Sequence, residues 1–393
     1  MSKSYRLTSA SLAQRPRLLQ AGFTLVELMI SMVLGLLIVL ALVTLLINVS
    51  RNNGEMSKSN RVIENGRFAL QLLQADISHA GFWDGFLPDF DNLSTAGVPA
   101  EYPNAVPDPC LAYASWAAQY KTNMVGMGVQ GYEIPATVPS PTLSVCGAVV
   151  TSPKANTDVL LVRYAENCLP GVGACAAQVA GEVYFQMASC GTATPSPAYV
   201  LHAPTFTLQK RDCTTTADIR KFVSNLYYIR DYAVTAGDGI PTLMRSQFGL
   251  TGSPSTPAHK TAEAMIEGVE GFRVEYGIDA VSDSGAAVDF TSAIVWANAA
   301  NKTSPTNRGD GIPEGAYVRC TTAAPCTAAQ LANTVAVKIY VLVRSENKSP
   351  GYSDSKTYNL GSTTLGPFND GYKRHLFSQT IRLINVSSRR ETS

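Results

Sequence analysis

Residues 22–28 read Gly22-Phe23-Thr24-Leu25-Val26-Glu27-Leu28, and the apolar run they open continues to Ile47. Glu27 is the one charge between 23 and 47. Wound as a helix, this run extends about 37 Å at 1.5 Å per residue. That exceeds the roughly 30 Å of bilayer hydrocarbon. Apolar residues fall on every helical face, so burial of one stripe in a globular core does not account for it. No Pro occurs between Pro16 and Pro88. A cleaved secretory signal has a shorter apolar region and an A-x-A-like site after it. Here Asn48-Val49-Ser50-Arg51-Asn52 follows instead. The segment is therefore expected to stay on the mature chain as a membrane anchor.

Charge alone does not orient this anchor. Lys3, Arg6, Arg15 and Arg17 precede it; Arg51, Lys58, Arg61 and Arg67 follow it within twenty residues. Counting Lys and Arg gives no bias between the two sides. The cysteines are more informative. Cys110, Cys146, Cys168, Cys175, Cys190, Cys213, Cys320 and Cys326 all lie after the run. An even number suits disulfides in an oxidising compartment, so the large C-terminal part is expected outside the cytoplasm. Pairing nearest neighbours would join 110–146, 168–175, 190–213 and 320–326, one of about a hundred connectivities that eight cysteines allow.

Composition excludes several classes. The chain has 393 residues, 46% hydrophobic and 16% charged, the second figure low for a soluble domain. Lys+Arg is 31 and Asp+Glu is 30, which argues against nucleic-acid binding through bulk charge. Removing residues 1–22 would take Lys+Arg from 31 to 27 against 30 acids, a side-chain balance of −3. The apolar excess is concentrated at 23–47.

The helical signal continues beyond the anchor. Met56, Ile63, Leu70 and Ile77 recur every seven residues, with Leu73 and Ala80 beside them. This predicts an amphipathic half of one long helix. Ser78-His79-Ala80-Gly81 offers its stop, since Gly commonly follows a helix end. From 81 on, strand-like runs dominate: 158–164, 183–185, 225–230, 272–277, 335–344 and a last one over 375–386. Residues 262–267 predict a short helix. Residues 88–157, rich in Pro and Ala, predict a long elaborated loop region with short elements. Turn clusters separate the runs, among them two copies of Gly-Asp-Gly-Ile-Pro at 237–241 and 309–313.

A short basic leader, then Gly-Phe-Thr-Leu-Val-Glu-Leu, then an apolar helix resembles the class III signal of type IV prepilins and pseudopilins. The resemblance implies that a prepilin peptidase cuts between Gly22 and Phe23 on the cytoplasmic side. It further implies N-methylation of the new Phe23 amine. Glu27 is then an assembly carboxylate that meets the positive N-terminal amine of a neighbouring subunit. Its place near a helix N-terminus also suits an anion, because the macrodipole is positive there.

Several later segments resemble PilW-type minor pilins: Gly81-Phe82-Trp83, Tyr227-Tyr228-Ile229-Arg230, residues 238–245, residues 267–277, and the 335–344 strand. Residues 88–157 and 278–330 carry no segment of this resemblance. The implied fold class is α+β. A basic leader covers 1–22, and a pilin-type helix covers 23–80, transmembrane at about 23–47. A β-rich extracytoplasmic domain then covers 81–393. The implied function is a minor pilin in type IV pilus assembly, held in the inner membrane with its domain in the periplasm before joining the filament at or near its tip. Implied partners are prepilin peptidase, other minor pilins, the major pilin and inner-membrane lipid. The presence of Glu27 argues against the minor-pilin type that lacks it and caps the tip. Two alternatives share these features: a minor pseudopilin of a type II secretion system, and a tip adhesin or DNA-uptake pilin.

Chemistry-bearing motifs point elsewhere than an enzyme. Residues 126–131 fit G-x-G-x-x-G, yet Pro135, Pro139 and Pro141 follow where a dinucleotide fold needs a helix. His79, His202, His259 and His375 are scattered, and no H-E-x-x-H, C-x-x-C or G-x-S-x-G occurs. No cofactor, metal or small-molecule substrate is expected. The Gly-Asp-Gly-Ile-Pro copies lack the alternating ligands of a calcium loop and predict turns. Asp279 and Asp283 are expected to be solvated. Lys210, Arg211, Arg220, Lys221 and Arg230 are interleaved with Asp212 and Asp218 and predict a solvated strand face, so no nucleic acid is expected.

Overall fold

A computed structural model of the chain describes residues 22–137, 143, 146–191, 198–202 and 205–391. Of the expected leader, Gly22 alone falls within them. The chain divides into two compact units, Met1–Met56 and Ser57–Ser393. Helix α1, Leu25–Ile77, runs through both, and its first part belongs to the assembly segment described below.

In the second unit α1 buries Val62, Gly66, Ala69, Leu73, Asp76 and Ile77. This stripe is displaced by about one residue from the expected repeat. Met56 is exposed, and Ile63 and Leu70 are only half-buried. The cause is side-chain size. A Cβ on Gly66 would overlap the Phe377 ring, so the sheet comes closest at the smallest residues and the larger ones flank that contact. The helix also stops at Ile77 rather than 80. His79 and Ala80 bond three residues back, and Gly81, at φ +72°, turns its N–H to the Arg163 carbonyl at 3.0 Å. Gly81 thus passes the chain to a strand instead of closing the helix on itself.

The remaining elements in chain order are α2 (Ala118–Gly126), β1 (Val129–Ile134), β2 (Thr157–Ala165), β3 (Tyr184–Met187), β4 (Tyr199–His202), β5 (Ile219–Arg230), β6 (Thr242–Thr251), β7 (Thr256–His259), β8 (Glu263–Glu267), β9 (Val269–Ile278), β10 (Trp296–Asn298), β11 (Thr303–Pro305), α3 (Ala328–Ala332), β12 (Thr334–Arg344), β13 (Tyr358–Leu360), β14 (Thr363–Leu365), β15 (Arg374–Arg382) and α4 (Ile384–Ser387). One sheet has the order β1-β2-β5-β3-β4, with β6 also on β5 and carrying β7 and β8. A second has the order β15-β12-β9. The strand pairs are antiparallel, with Leu160 opposite Tyr227 and Val341 opposite both Phe377 and Phe272.

One hydrophobic core joins the packed part of α1 to both sheets. It gathers Leu73 and Ile77 with Leu160 and Val162 of β2, Tyr227 and Ile229 of β5, Phe272 of β9 and Val337, Ile339 and Val341 of β12. β12 is buried on both faces. Its other face meets the β13–β14 hairpin through Tyr340, Leu342, Tyr358 and Leu360. That explains its nearly continuous apolar sequence. Asp158 of β2 links the sheets, accepting from Arg273 Nη1 at 3.0 Å and from the Val274 N–H at 3.0 Å. Four disulfides join 110–146, 168–175, 190–213 and 320–326, each linking neighbours in sequence.

Two expectations about elements are corrected. Residues 262–267 are not a helix: β8 pairs with β6, Leu243 opposite Ile266, and Ile266 enters the core. Tertiary pairing overrides the helix preference of Glu, Ala and Met there. The last strand ends at Arg382 rather than 386. Residues 384–387 form a helical turn that buries Val386. The 88–157 region contains α2, β1 and the start of β2. Gln130 and Gly131 carry little strand signal, and the six-residue ladder with β2 supplies what the sequence lacks.

Candidate assembly segment

In the first unit Gly22, Phe23 and Thr24 lead into α1 without regular structure. Thr24 is the N-cap. Its carbonyl accepts the Leu28 N–H at 3.1 Å, and its Oγ1 accepts the Glu27 N–H at 3.3 Å. Glu27 Oε2 in turn accepts the Thr24 N–H and the Thr24 hydroxyl, each at 2.9 Å. This reciprocal arrangement is a capping box, which satisfies backbone donors that a helix start leaves open. Glu27 therefore already has partners within its own chain. Sequence reasoning centred on Glu27 and missed Thr24, although Thr-x-x-Glu before an apolar run is the signal for such a cap.

Beyond the cap the segment is bare. Phe23 is 83% exposed, and the large apolar side chains from Leu25 to Ile47 are exposed on all faces. The few hydroxyls are internally satisfied: Ser31 Oγ donates to the Glu27 carbonyl at 2.7 Å and Thr44 Oγ1 to that of Ala41 at 2.8 Å. A helix in hydrocarbon has the same requirement, since no water is there to complete its hydrogen bonds. So continuous an apolar surface needs lipid or other subunits around it. The helix is long and apolar enough to span a bilayer.

The other candidate positions lie in the second unit and do not converge. In 126–131, Gly126 ends α2 and Gly131 lies within β1, the reverse of a phosphate-binding strand-to-helix turn. The first Gly-Asp-Gly-Ile-Pro is a turn held by Asp238, which accepts the N–H groups of Ala233, Val234, Thr235 and Ile240. In the second, Asp310 accepts the Ile312 N–H at 2.8 Å.

Asp283 is exposed, but Asp279 is wholly buried, contrary to expectation. It accepts the Gly311 N–H at 2.9 Å and pairs with Arg390 at 3.2 Å. Burial pushes its pKa up to about 6. Asp279, Asp310 and Glu314 bring carboxylate oxygens within 4.8 Å of one another, yet Asp279 is already committed to a guanidinium and two amides. Three of the five basic residues are likewise engaged. Lys210 meets Asp218 at 3.0 Å, Lys221 meets Glu182 at 2.7 Å and Arg220 meets Asp84 at 2.5 Å.

Two family models match the chain. Residues 226–385 match the Type IV Pilus-assembly protein W family, and residues 17–43 match the Prokaryotic N-terminal methylation motif. The first match takes in β6, β9, β12 and β15; the second takes in Gly22, Phe23 and Glu27. No curated protein matches. Among solved structures, a type IV-like pilin from Thermus thermophilus aligns with 11% identity and a TM-score of 0.30, covering 83% of this chain and 98% of that one. The matches point to a structural protein rather than an enzyme and imply processing by prepilin peptidase within the pilus system. A methylation signal opening an exposed apolar helix, together with a pilus-assembly match over the C-terminal sheets, supports a PilW-type minor pilin of type IV pili.

Proposed function

We propose that the chain is made as an inner-membrane precursor, cut between Gly22 and Phe23, methylated on Phe23, and then drawn into the pilus at or near its tip. In this reading residues 23–80 are the assembly helix, and the domain from 81 stands in the periplasm until assembly. The observation that carries the reading is the methylation-motif match over 17–43, a stretch with Gly22 and Phe23 just ahead of a bare apolar helix and Glu27 in its first turn. Four disulfides beyond that helix support an oxidising compartment for the domain.

Glu27 acts twice in this scheme. In the lone chain it caps its own helix through Thr24. On assembly it exchanges that contact for the N-terminal amine of a neighbour, which neutralises both charges within an apolar bundle. Deletion with complementation tests the whole: surface pili should be lost and protein secretion kept. The reverse result would identify a secretion pseudopilin. Glu27→Ala should be cleaved normally yet enter filaments poorly, and wild-type incorporation of that variant would sink the exchange.

A further inference from the structure

We propose that Asp76 is a positioning residue, fixing the register at which residues 57–77 of α1 lie on the sheets. This goes beyond pilus assembly and does not depend on it.

The α1 contact is mostly apolar. Val62, Ala69, Leu73 and Ile77 meet side chains of β2, β5, β9 and β12. Apolar contacts are not directional, so a stripe of this kind tolerates sliding by a helical turn at small cost. The Gly66–Phe377 contact marks one point along the helix, but like the rest of the stripe it is apolar and carries no directed bond. Hydrogen bonds supply the missing direction: Asn65 Nδ2 donates one to the Glu267 carbonyl at 3.0 Å and Lys58 Nζ one to the Lys348 carbonyl at 3.0 Å, and four converge on Asp76. Tyr164 Oη of β2 donates to Oδ1 at 2.7 Å. Asn225 Nδ2 of β5 donates to both oxygens at 2.9 Å, and Tyr227 Oη of β5 donates to Oδ2 at 3.0 Å. Three donors on two strands thus converge on one carboxylate that is only 7% exposed. His79, one turn on, stacks its ring on Tyr164 at 5.4 Å.

Stability alone does not explain this arrangement. A buried carboxylate loses hydration, and among the described residues no cation hydrogen-bonds to Asp76, although the Arg245 charge acts on it from farther off. Replacing a buried polar cluster and its partners with apolar groups of similar shape is often neutral or stabilising. A polar group in an apolar seam is best known for specifying register. A slide of one turn would move Asp76 by about 5.4 Å. All three donors would then be left buried without an acceptor, and the carboxylate would enter the apolar core.

The test is a distance measurement on the full chain in detergent micelles. The described cysteines are all paired, so nitroxide labels attach only at introduced ones. Gln71→Cys on α1 and Asp231→Cys beyond β5 are both exposed. The parent should give one narrow distance by pulsed electron resonance. The all-apolar set Asp76→Leu, Tyr164→Phe, Asn225→Leu and Tyr227→Phe should keep its denaturation midpoint, or raise it. It should add a second, separate distance displaced by up to about 5 Å, the rise of one helical turn. Asp76→Asn keeps an acceptor oxygen and should retain the single distance. A single unchanged distance in the all-apolar set would overturn the proposal. If that set does not fold, Tyr164→Phe with Tyr227→Phe decides. A second population there supports the register role, and an unchanged single distance refutes it.

Discussion

The two parts of α1 have the same backbone and opposite relations to their surroundings. From Leu25 to Ile47 the large apolar side chains are exposed on all faces. From Val62 to Ile77 a narrow stripe is buried, and it includes a glycine, an alanine and an aspartate. Greasiness is therefore a poor guide to burial along this helix. The more apolar part is the exposed one among the described residues, and the more polar part is the one that packs. A helix that must be covered by lipid or by other subunits can be uniform around its axis. A helix that fits one particular sheet needs local shape and a few directed bonds.

A charge placed in each part gives the largest expected contrast. Leu36→Arg sits mid-way along the bare run, where an arginine costs about 2.5–3.5 kcal/mol on insertion scales. It should shift the protein out of the membrane fraction and abolish piliation. Phe68→Arg places the same charge on the outer face of the packed part, where Phe68 is 52% exposed. Membrane retention and the denaturation midpoint should both stay near wild type. Equal behaviour of the two variants in fractionation would break the distinction.

The packed part should be sensitive where the bare part is tolerant. Gly66→Val drives a branched side chain into the Phe377 ring. Overpacking of this kind costs about 1–3 kcal/mol, to be read from urea unfolding of the full chain in micelles. Gly35 has open space around its Cβ position, so Gly35→Val should leave that midpoint in place. A large loss from Gly35→Val would show that the bare segment packs against protein after all.

Acid should separate the same two parts by a different route. His259 of β7 is buried between Ser224 and Ser246, whose hydroxyls lie 3.3 Å from its ring nitrogens. Burial first, and then the nearby Arg163 guanidinium, push its pKa down to about 3. Between that value and the ordinary 6.5, the native chain binds fewer protons than the unfolded chain. The stabilisation is therefore complete above pH 6.5 and is lost as pH falls toward 3, at up to about 1.4 kcal/mol per pH unit from this residue. His259→Gln should flatten that slope. Helicity from 28–47, which holds no ionisable side chain, should not change over the same range, as circular dichroism of an end-blocked peptide of that segment in micelles would show.

Much of this molecule is legible in the sequence because the signals are local. The 23–47 run, the Gly-Phe-Thr-Leu-Val-Glu junction and the β12 apolar run each depend on composition and period within one segment. What escapes is set by distant partners. Gly66 looks like a weak point in a helix until Phe377 is brought against it. Asp76 looks like a solvated residue until Tyr164, Asn225 and Tyr227 surround it, 88 to 151 positions away. Asp279 is misread as solvated for the same reason, since Arg390 lies 111 positions on. Residues 262–267 have helix-forming side chains, and only the neighbouring β6 makes them a strand. Thr24 is the exception: its signal is local and was available.

The smallest expected effect tests whether charge on the packed part matters at all. Arg61 Nη1 lies 3.3 Å from Glu346 Oε2, joining α1 to the loop after β12. Both groups are wet, with side-chain exposures of 64% and 29%. Water screens such a pair, and holding a long arginine in one rotamer offsets much of the attraction, so exposed pairs contribute about 0–1 kcal/mol. Arg61→Ala should thus move the unfolding midpoint far less than Gly66→Val. Whatever it costs should shrink between low and high salt, because the Debye length falls from about 10 Å at 0.1 M to about 3 Å at 1 M. A cost above about 2 kcal/mol that survives high salt would mean that α1 is held on the domain by ion pairing rather than by the Gly66–Phe377 fit and the apolar stripe beneath it.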